Sequence, residues 1–589
     1  MNKILSHTVA ATLLIASSSW GLASDTPKPN IVLLLADDLG FTDVGAFGSE
    51  ISTPNIDVLA RQGRMFSNYH TASSCAPTRA MLMSGLSSHQ AGLGNMPESL
   101  APEMRGNPEY SGFLRPGIPT IAEHLQEGGY KTYVAGKWHL GATPDTLPSA
   151  RGFDKTFILA DTGGDNWEQK PYLPIYDQAN WYADGERTTL PDDFYSSKTL
   201  IDKTIDFIDS DSNDAPFFAY VAFQAVHIPV QAPVEFTNKY LETYKAGWSE
   251  LRRQRYKGAI KAGIVPEGLE LEEMATTEDW NTLSAEEQRY EAKSMAVYAG
   301  MVEAMDFHIG RLIEHLKATG QYDNTLFIFT SDNGAEPSDT LGRNASSITR
   351  RYFSWWLSQN NYNTDYETLG EKGSYNMIGA SFASAAASPL SFYKFYNGEG
   401  GMRVPLIISG PGVNSELPIS RAFTFVTDIV PTVLGIANAD PIPGAIGKSL
   451  VPLLNGTAES NRDANDGVGF ELGGNATYFL GDYKLVLNRG PVGDNEWHLY
   501  NIVQDPTERK DLKNLEPELF TDLKTRYEAY AKEHGVLEVP PGYDQRMQVA
   551  RNQARALLQE AVPIMMAITA AIVIGLIFLI RIWRSPRAA

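Results

Sequence analysis

Asp37-Asp38 and Asp332-Asn333 each close a run of apolar residues, and their four side chains offer oxygen ligands. An all-oxygen set suits a hard divalent cation, Ca2+ or Mg2+, better than zinc. Singly, such residues at strand ends are mostly turn or cap residues. Two pairs after two matching runs point instead to ligands, because carboxylates gathered in one crevice repel one another without a cation. A cation there would orient a nucleophile's oxygen and lower its pKa. Arg79, Lys137 and Lys394 would supply positive charge for an anionic substrate, and His139 and His227 would move protons near neutral pH. A lone histidine is more often structural, but each of these follows a run that should end at the same edge.

One cysteine, Cys75, occurs in 589 residues. In an exported chain a single sulfur cannot form an internal disulfide, so it is either an idle buried thiol or kept for its chemistry. Its setting, Ser74-Cys75-Ala76-Pro77-Thr78-Arg79 continuing to Gly85, favours chemistry.

The elements that must position these residues are apolar runs without alternation. Asn30 to Ala36 reads as a central strand covered on both faces, and Asn324 to Ser331 repeats the pattern. The pattern recurs less cleanly in Tyr130 to Ala135 before Gly136-Lys137-Trp138-His139, and in Phe217 to Val226 before His227. Between them, Ile121 to Glu127 and Ala296 to Leu316 have helical spacing. Alternating strands and helices predict an α/β fold with a large mixed, mostly parallel sheet sandwiched by helices. In such sheets ligands bind outside the carboxyl ends of the strands, so distant residues can share one crevice. After about Arg421 shorter strands and turns predict a smaller antiparallel lobe, closed by a helix from Pro517 to His534.

The expected organisation is a signal peptide at 1–23, a catalytic domain at 28–420 with a solvent-facing helical insertion at about 232–295, and a C-terminal α+β lobe at 421–537. A polar linker at 538–560, a transmembrane helix at 561–580 and a basic cytoplasmic tail at 581–589 complete it. Met1-Asn2-Lys3, the apolar stretch Val9 to Ala16 and the small residues to Ala23 carry the signal. Ala561 to Ile580 holds no charged residue and is long enough to cross roughly 30 Å of hydrocarbon. Arg581, Arg584 and Arg587 come next, which places the tail in the cytoplasm and the catalytic part outside it. A formal charge of −21 excludes nucleic acid as a partner of the bulk surface, because phosphate binding needs clustered cations.

In order along the chain, Ala36 to Gly40, Cys75-Ala76-Pro77-Thr78-Arg79, Gly136 to Gly141, His227-Ile228-Pro229 and Ser331 to Gly334 resemble the motifs of the type I sulfatases. So do Lys394 before Glu399-Gly400-Gly401-Met402-Arg403-Val404-Pro405, Trp497 to Tyr500, and Asp505 to Glu508. The resemblance is to bacterial arylsulfatases, within the alkaline-phosphatase-like superfamily, and runs from about Asn30 to His534. It implies that a formylglycine-generating enzyme oxidises Cys75 during synthesis, with Thr78 where many members carry serine. It implies that the hydrated aldehyde attacks a sulfate ester, that Arg79 and Lys137 hold it, and that His227 or Lys394 protonates the leaving oxygen. His139 would then assist regeneration of the aldehyde. Asp37, Asp38, Asp332, Asn333 and the modified Cys75 would hold one Ca2+, with Mg2+ as the alternative. The resemblance further places the catalytic domain on the periplasmic side of a bacterial inner membrane.

Sulfate and phosphate esters share tetrahedral geometry, so a phosphomonoester, phosphodiester or phosphonate hydrolase on the same fold is the nearest alternative. Those relatives commonly hold two transition metals with several histidine ligands, and this sequence offers two well-placed histidines. An inactive membrane-anchored binding protein is the alternative from another class, opposed by the presence of every expected site residue.

Overall fold

The computed structural model describes residues 27–210 and 215–584; within the last helix, the side chains of 557–565, 567–568, 579 and 581–584 lie outside that description. The signal expected at 1–23 also lies outside the described residues. In chain order the strands are β1 Asn30–Ala36, β2 Gly63–Phe66, β3 Tyr69–His70, β4 Lys131–Lys137, β5 Lys155–Leu159, β6 Trp181–Ala183, β7 Glu186–Arg187 and β8 Phe217–Ala222. Then come β9 Thr325–Ser331, β10 Leu406–Ser409, β11 Thr424–Phe425, β12 Val468–Leu472, β13 Asn475–Leu480, β14 Tyr483–Leu487 and β15 Trp497–Asn501.

Nine strands form the main sheet in the order β2-β10-β9-β1-β8-β4-β5-β6-β7. Its centre, β9-β1-β8-β4-β5, is parallel, while β10 and β6 join antiparallel. β1 is apolar throughout because both faces are covered. Val32, Leu34 and Ala36 pack into one core cluster with the helix Ala285–Ala318, and Ile31, Leu33 and Leu35 into the opposite one with the helix Cys75–Ser84. The large mixed sheet and the small antiparallel sheet, β12-β13-β14-β15 under the helix Pro517–Glu533, match the sequence reading.

Register brings the site together. Ala36 pairs with Ser331, so Asp37-Asp38 and Asp332-Asn333 leave the sheet side by side; β4, parallel to β8, ends on Lys137 at the same edge. The helix Ala285–Ala318 begins earlier than its apolar spacing suggested, because Ser284 and Glu287 form a capping box ahead of the periodic stretch.

Two expectations need correction. The stretch at 232–295 is not simply solvent-facing: Trp248, Leu251, Arg255 and Ala259 of the helix Trp248–Lys261 are buried, and Arg255 pairs with buried Asp43 and with Glu50. Its charged residues hid this face because two of the arginines, Arg252 and Arg255, point inward to carbonyls and carboxylates. The segment at 538–560 is not a free linker: Tyr543, Gln545 and Gln548 are buried, and a helix begins at Gln545 and continues to Arg584. The span expected at 561–580 falls inside that helix, with the side chains of 561–565, 567–568 and 579 outside the described residues; among the described residues no helix is long and apolar enough to cross a membrane.

Candidate active site

Cys75 is the first residue of its helix, after an extended Ser74, and its side chain is fully buried. The thiol donates to Asp37 Oδ1 at 3.4 Å and lies 3.6 Å from Asp38 Oδ1. One turn along, Arg79 faces the same edge. Its Nε donates to Asp332 Oδ2 (2.9 Å), Nη2 lies 2.8 Å from the same oxygen, and Nη1 donates to the Lys137 carbonyl (2.7 Å). Lys137 Nζ grips both oxygens of Asp37, at 3.0 and 2.7 Å. Lys394 Nζ sits 2.8 Å from Asp38 Oδ1 and 2.8 Å from Glu336 Oε2.

Four buried carboxylates, Asp37, Asp38, Asp332 and Glu336, thus face three buried cations, Arg79, Lys137 and Lys394. The imbalance shows in their titration. Burial, reinforced by Asp332, pushes Asp37 up to about 8. Burial likewise raises Asp38 against the pull of Lys394. Burial would raise Asp332 too, but Arg79, Lys137 and Lys394 together hold it below the usual carboxylate range. Burial opposes the charge of Lys394, yet Asp38, Cys75 and Glu336 keep its pKa well above the ordinary lysine value. The Cys75 thiol is pushed well up by burial and by Asp332, so as a plain cysteine it is a poor nucleophile.

The two histidines differ in tautomer. His227 Nδ1 lies 2.6 Å from the Ile228 carbonyl, which only accepts, so Nδ1 carries the proton and Nε2 is bare. That bare nitrogen faces Asp38 Oδ2 at 3.6 Å, two acceptors with no proton between them. Burial, with Lys137 and Lys394 nearby, holds His227 well below the ordinary histidine value. His139 is the reverse case. Its Nε2 meets both oxygens of Glu98 at 3.2 Å, and Nδ1 is buried without a hydrogen-bond partner among the described residues. Burial would raise Glu98, but His139 and the Tyr176 hydroxyl, 2.7 Å away, hold it low; an ionised Glu98 fixes the proton on Nε2 and leaves Nδ1 as a base.

Ligating atoms of Asp37, Asp38, Cys75 and His227 all lie within 4.8 Å of one another. Of the expected ligands, Asp332 is turned toward Arg79 and accepts from the Asp38 amide at 3.2 Å. Asn333 Nδ2 donates to Asp38 Oδ1 (2.7 Å), while its Oδ1 is buried without a partner among the described residues. An orphaned amide oxygen, facing acceptors at Asp38 and His227 and an excess of carboxylate all fit a cation at this point. Sequence reasoning missed Glu336 and Glu98. Glu336 could have been sought as the counter-ion a buried Lys394 requires. Glu98 lies in a single 3-10 turn, Pro97–Ser99, too short to show a period, and the sequence carries no comparable signal for it.

The profile of the sulfatase family matches residues 29–439. The chain is 36% identical over 548 residues to a protein of Schizosaccharomyces pombe described as an uncharacterized sulfatase, covering 88% of this chain and 96% of that one. It is 34% identical over 457 residues to an arylsulfatase of Klebsiella aerogenes, covering 77% of this chain and 96% of its relative. Among solved structures it is similar to Ps i-CgsB, with a TM-score of 0.62 and 26% identity, over 90% of this chain and 98% of the other.

Proposed function

This chain belongs to the sulfatase family and hydrolyses sulfate esters, and we propose that it does so with formylglycine made from Cys75 and with one Ca2+, or alternatively Mg2+, held beside it. The observation that carries the reading is the position of Cys75: its sulfur lies at 3.4 and 3.6 Å from two carboxylates whose own neighbours are Lys137, Lys394 and Arg79. A buried, protonated thiol has no use there, whereas an oxidised carbon bearing two hydroxyls gives the cation and the substrate one oxygen each.

Asp37, Asp38, Asp332, Asn333 and the modified position 75 are the residues that would hold the cation, with His227 Nε2 at its border. Oxygen at position 75 makes this a mostly hard donor set; sulfur would leave it open to zinc. When bound, the cation supplies charge that favours the alkoxide form of the nucleophile. It also turns an excess of one carboxylate into a net positive site, suited to an anionic ester.

Arg79 and Lys137 orient the hydrated side chain at the helix start. Lys394, kept protonated by Asp38 and Glu336, draws the transferred group's oxygens. As the bond between sulfur and the leaving oxygen breaks, Lys394 delivers the proton that oxygen needs, whereas His227, the other residue expected in that role, has no proton on the Nε2 that faces the site. His139, with its Nε2 proton fixed by Glu98, accepts the remaining hydroxyl proton at Nδ1, so that sulfate departs and the carbonyl re-forms. The reading includes single-pass anchoring of the catalytic domain on the outer face of a bacterial inner membrane. It rests on the uncharged run Ala561 to Ile580, where Ile572, Ile574, Leu576 and Phe578 are exposed.

The test compares an aryl sulfate with the matching aryl phosphate, alongside metal analysis of the purified protein. The expected result is a strong sulfate preference with about one equivalent of calcium per chain. A phosphate preference with two transition metals would overturn the reading.

A further inference from the structure

The start of the C-terminal helix lies against the wall of the active site. Asn552 Nδ2 donates to the carbonyls of Glu98 and Leu100, both at 2.9 Å. Tyr543 donates to the carbonyl of Ser99 (2.7 Å) and accepts from Asn95 Nδ2 (2.7 Å). Gln553 donates to the carbonyl of Pro174 (3.1 Å). Three side chains of one segment thus hold the carbonyls of residues 98, 99, 100 and 174.

Those carbonyls belong to the 3-10 turn Pro97–Ser99 with its following Leu100 and to the loop at Pro174, the two segments whose side chains meet at His139. Glu98 accepts from His139 Nε2, and Tyr176, two residues beyond Pro174, donates to the same carboxylate at 2.7 Å. The Glu98 carboxylate keeps the proton on Nε2 and therefore the lone pair on Nδ1. A shift of its backbone by even a fraction of a hydrogen-bond length would disturb that choice.

We propose that the segment Tyr543 to Gln553 is a strap that sets the Glu98–His139 pair, with Asn552 as a positioning residue for the sulfatase reaction. The segment therefore tunes the site's proton transfer as well as joining the lobe to the rest of the C-terminal helix. The inference rests on the role given to His139 above. It accounts for the burial of polar Tyr543, Gln545 and Gln548 in a stretch whose composition reads as a linker.

The experiment uses the full chain and three single variants, Asn552→Leu, Tyr543→Phe and Glu98→Gln, with the doubles that combine each strap variant with Glu98→Gln. Aryl sulfate turnover and the thermal midpoint are measured for all. Glu98→Gln is expected to lower kcat roughly 100-fold, as for loss of an oriented base, and Asn552→Leu about 10-fold with little change in KM. In the Glu98→Gln background Asn552→Leu is expected to have almost no further effect, a coupling that a purely structural role would not produce. Tyr543→Phe keeps the ring and removes only the hydroxyl, so it reports if Asn552→Leu folds poorly. It is expected to lower kcat by a smaller factor and to be silent in the double.

Strap variants that leave kcat unchanged while Glu98→Gln lowers it would overturn the inference alone, as would losses that multiply in the doubles. Full activity of Glu98→Gln would overturn the role of His139, and the inference with it.

Discussion

Two clusters of buried charge lie on either side of the Lys394 to Arg403 stretch, and they are built to opposite plans. Between the lobes, Glu399 and Glu508 meet Lys484 and Arg403. Lys484 Nζ donates to Glu399 Oε1 (2.8 Å) and Glu508 Oε1 (2.9 Å), Arg403 Nη1 to Glu399 Oε2 (3.4 Å), and the Glu399 amide to Glu508 Oε2 (2.7 Å). His70 Nε2 adds contacts to both oxygens of Glu399 at 3.0 Å. Two carboxylates face two permanent cations, and each of the four carboxylate oxygens has a partner within the protein. In the active site four carboxylates face three cations, an amide oxygen is left over, and two acceptors point at each other. Balanced charge braces the lobes; unbalanced charge holds room for a cation and an anion that the chain does not supply.

Removing the group at the centre of each cluster should therefore do different things. Cys75→Ala is expected to abolish sulfate ester turnover by about 10,000-fold or more while leaving the thermal midpoint near that of the parent, as steady-state kinetics and calorimetry will show. Chelation of the cation from the parent protein should likewise abolish turnover, with added Ca2+ restoring it; activity indifferent to chelators would erase the contrast between the clusters. Lys484→Met should act on stability, because Glu399 and Glu508 lose their shared cation. A loss of about 3–5 kcal/mol in denaturant unfolding is expected, with turnover per folded molecule largely kept.

Glu336→Gln sharpens the comparison within the active site. Lys394 loses one of two counter-ions, and its hold on the ester's oxygens becomes less fixed. A fall in kcat/KM of about 10-fold is expected, together with a stability change under about 1 kcal/mol, since the site already carries excess negative charge.

The smallest effect is a pH dependence of the brace. Burial, with Glu399 adding repulsion, raises Glu508 to about 7 despite Lys484. A carboxyl raised in the folded state contributes stability that is full below its unfolded pKa and is lost as pH rises through the folded value. Between about 4.5 and about 7 the thermal midpoint should therefore carry a downward contribution from Glu508, which Glu508→Gln removes. Identical slopes in parent and variant would contradict the assignment.

Much of this was legible in the sequence for simple reasons. A strand covered on both faces is mostly apolar, so β1 and β9 announced themselves and β4 and β8 did so less cleanly, and their parallel register carried Asp37, Asp38, Lys137, Asp332 and Asn333 to one edge. Cys75 and Arg79 could be paired through the motif Cys75-Ala76-Pro77-Thr78-Arg79, a spacing that the helix Cys75–Ser84 turns into one helical turn. Glu399 and Glu508 were visible as motif residues, but their meeting at Lys484 depends on how the β14 lobe docks, which no local pattern encodes. Glu98 and the strap escaped for the same reason. Their bonds run from side chains to carbonyls more than 370 residues away, between short segments without period and a stretch whose polar composition is that of a linker. The buried face of Trp248–Lys261 was hidden by arginines, which composition counts as surface residues and which here satisfy interior acceptors.

The central claim is that position 75 acts as an oxidised carbon in a site built around a cation. It is tested most directly by mass spectrometry of the peptide containing that position, taken from protein of measured sulfatase activity. The expected spectrum shows an aldehyde or its hydrate in a fraction that rises in proportion to activity across preparations. An intact thiol in protein that turns over sulfate esters at full rate would contradict it.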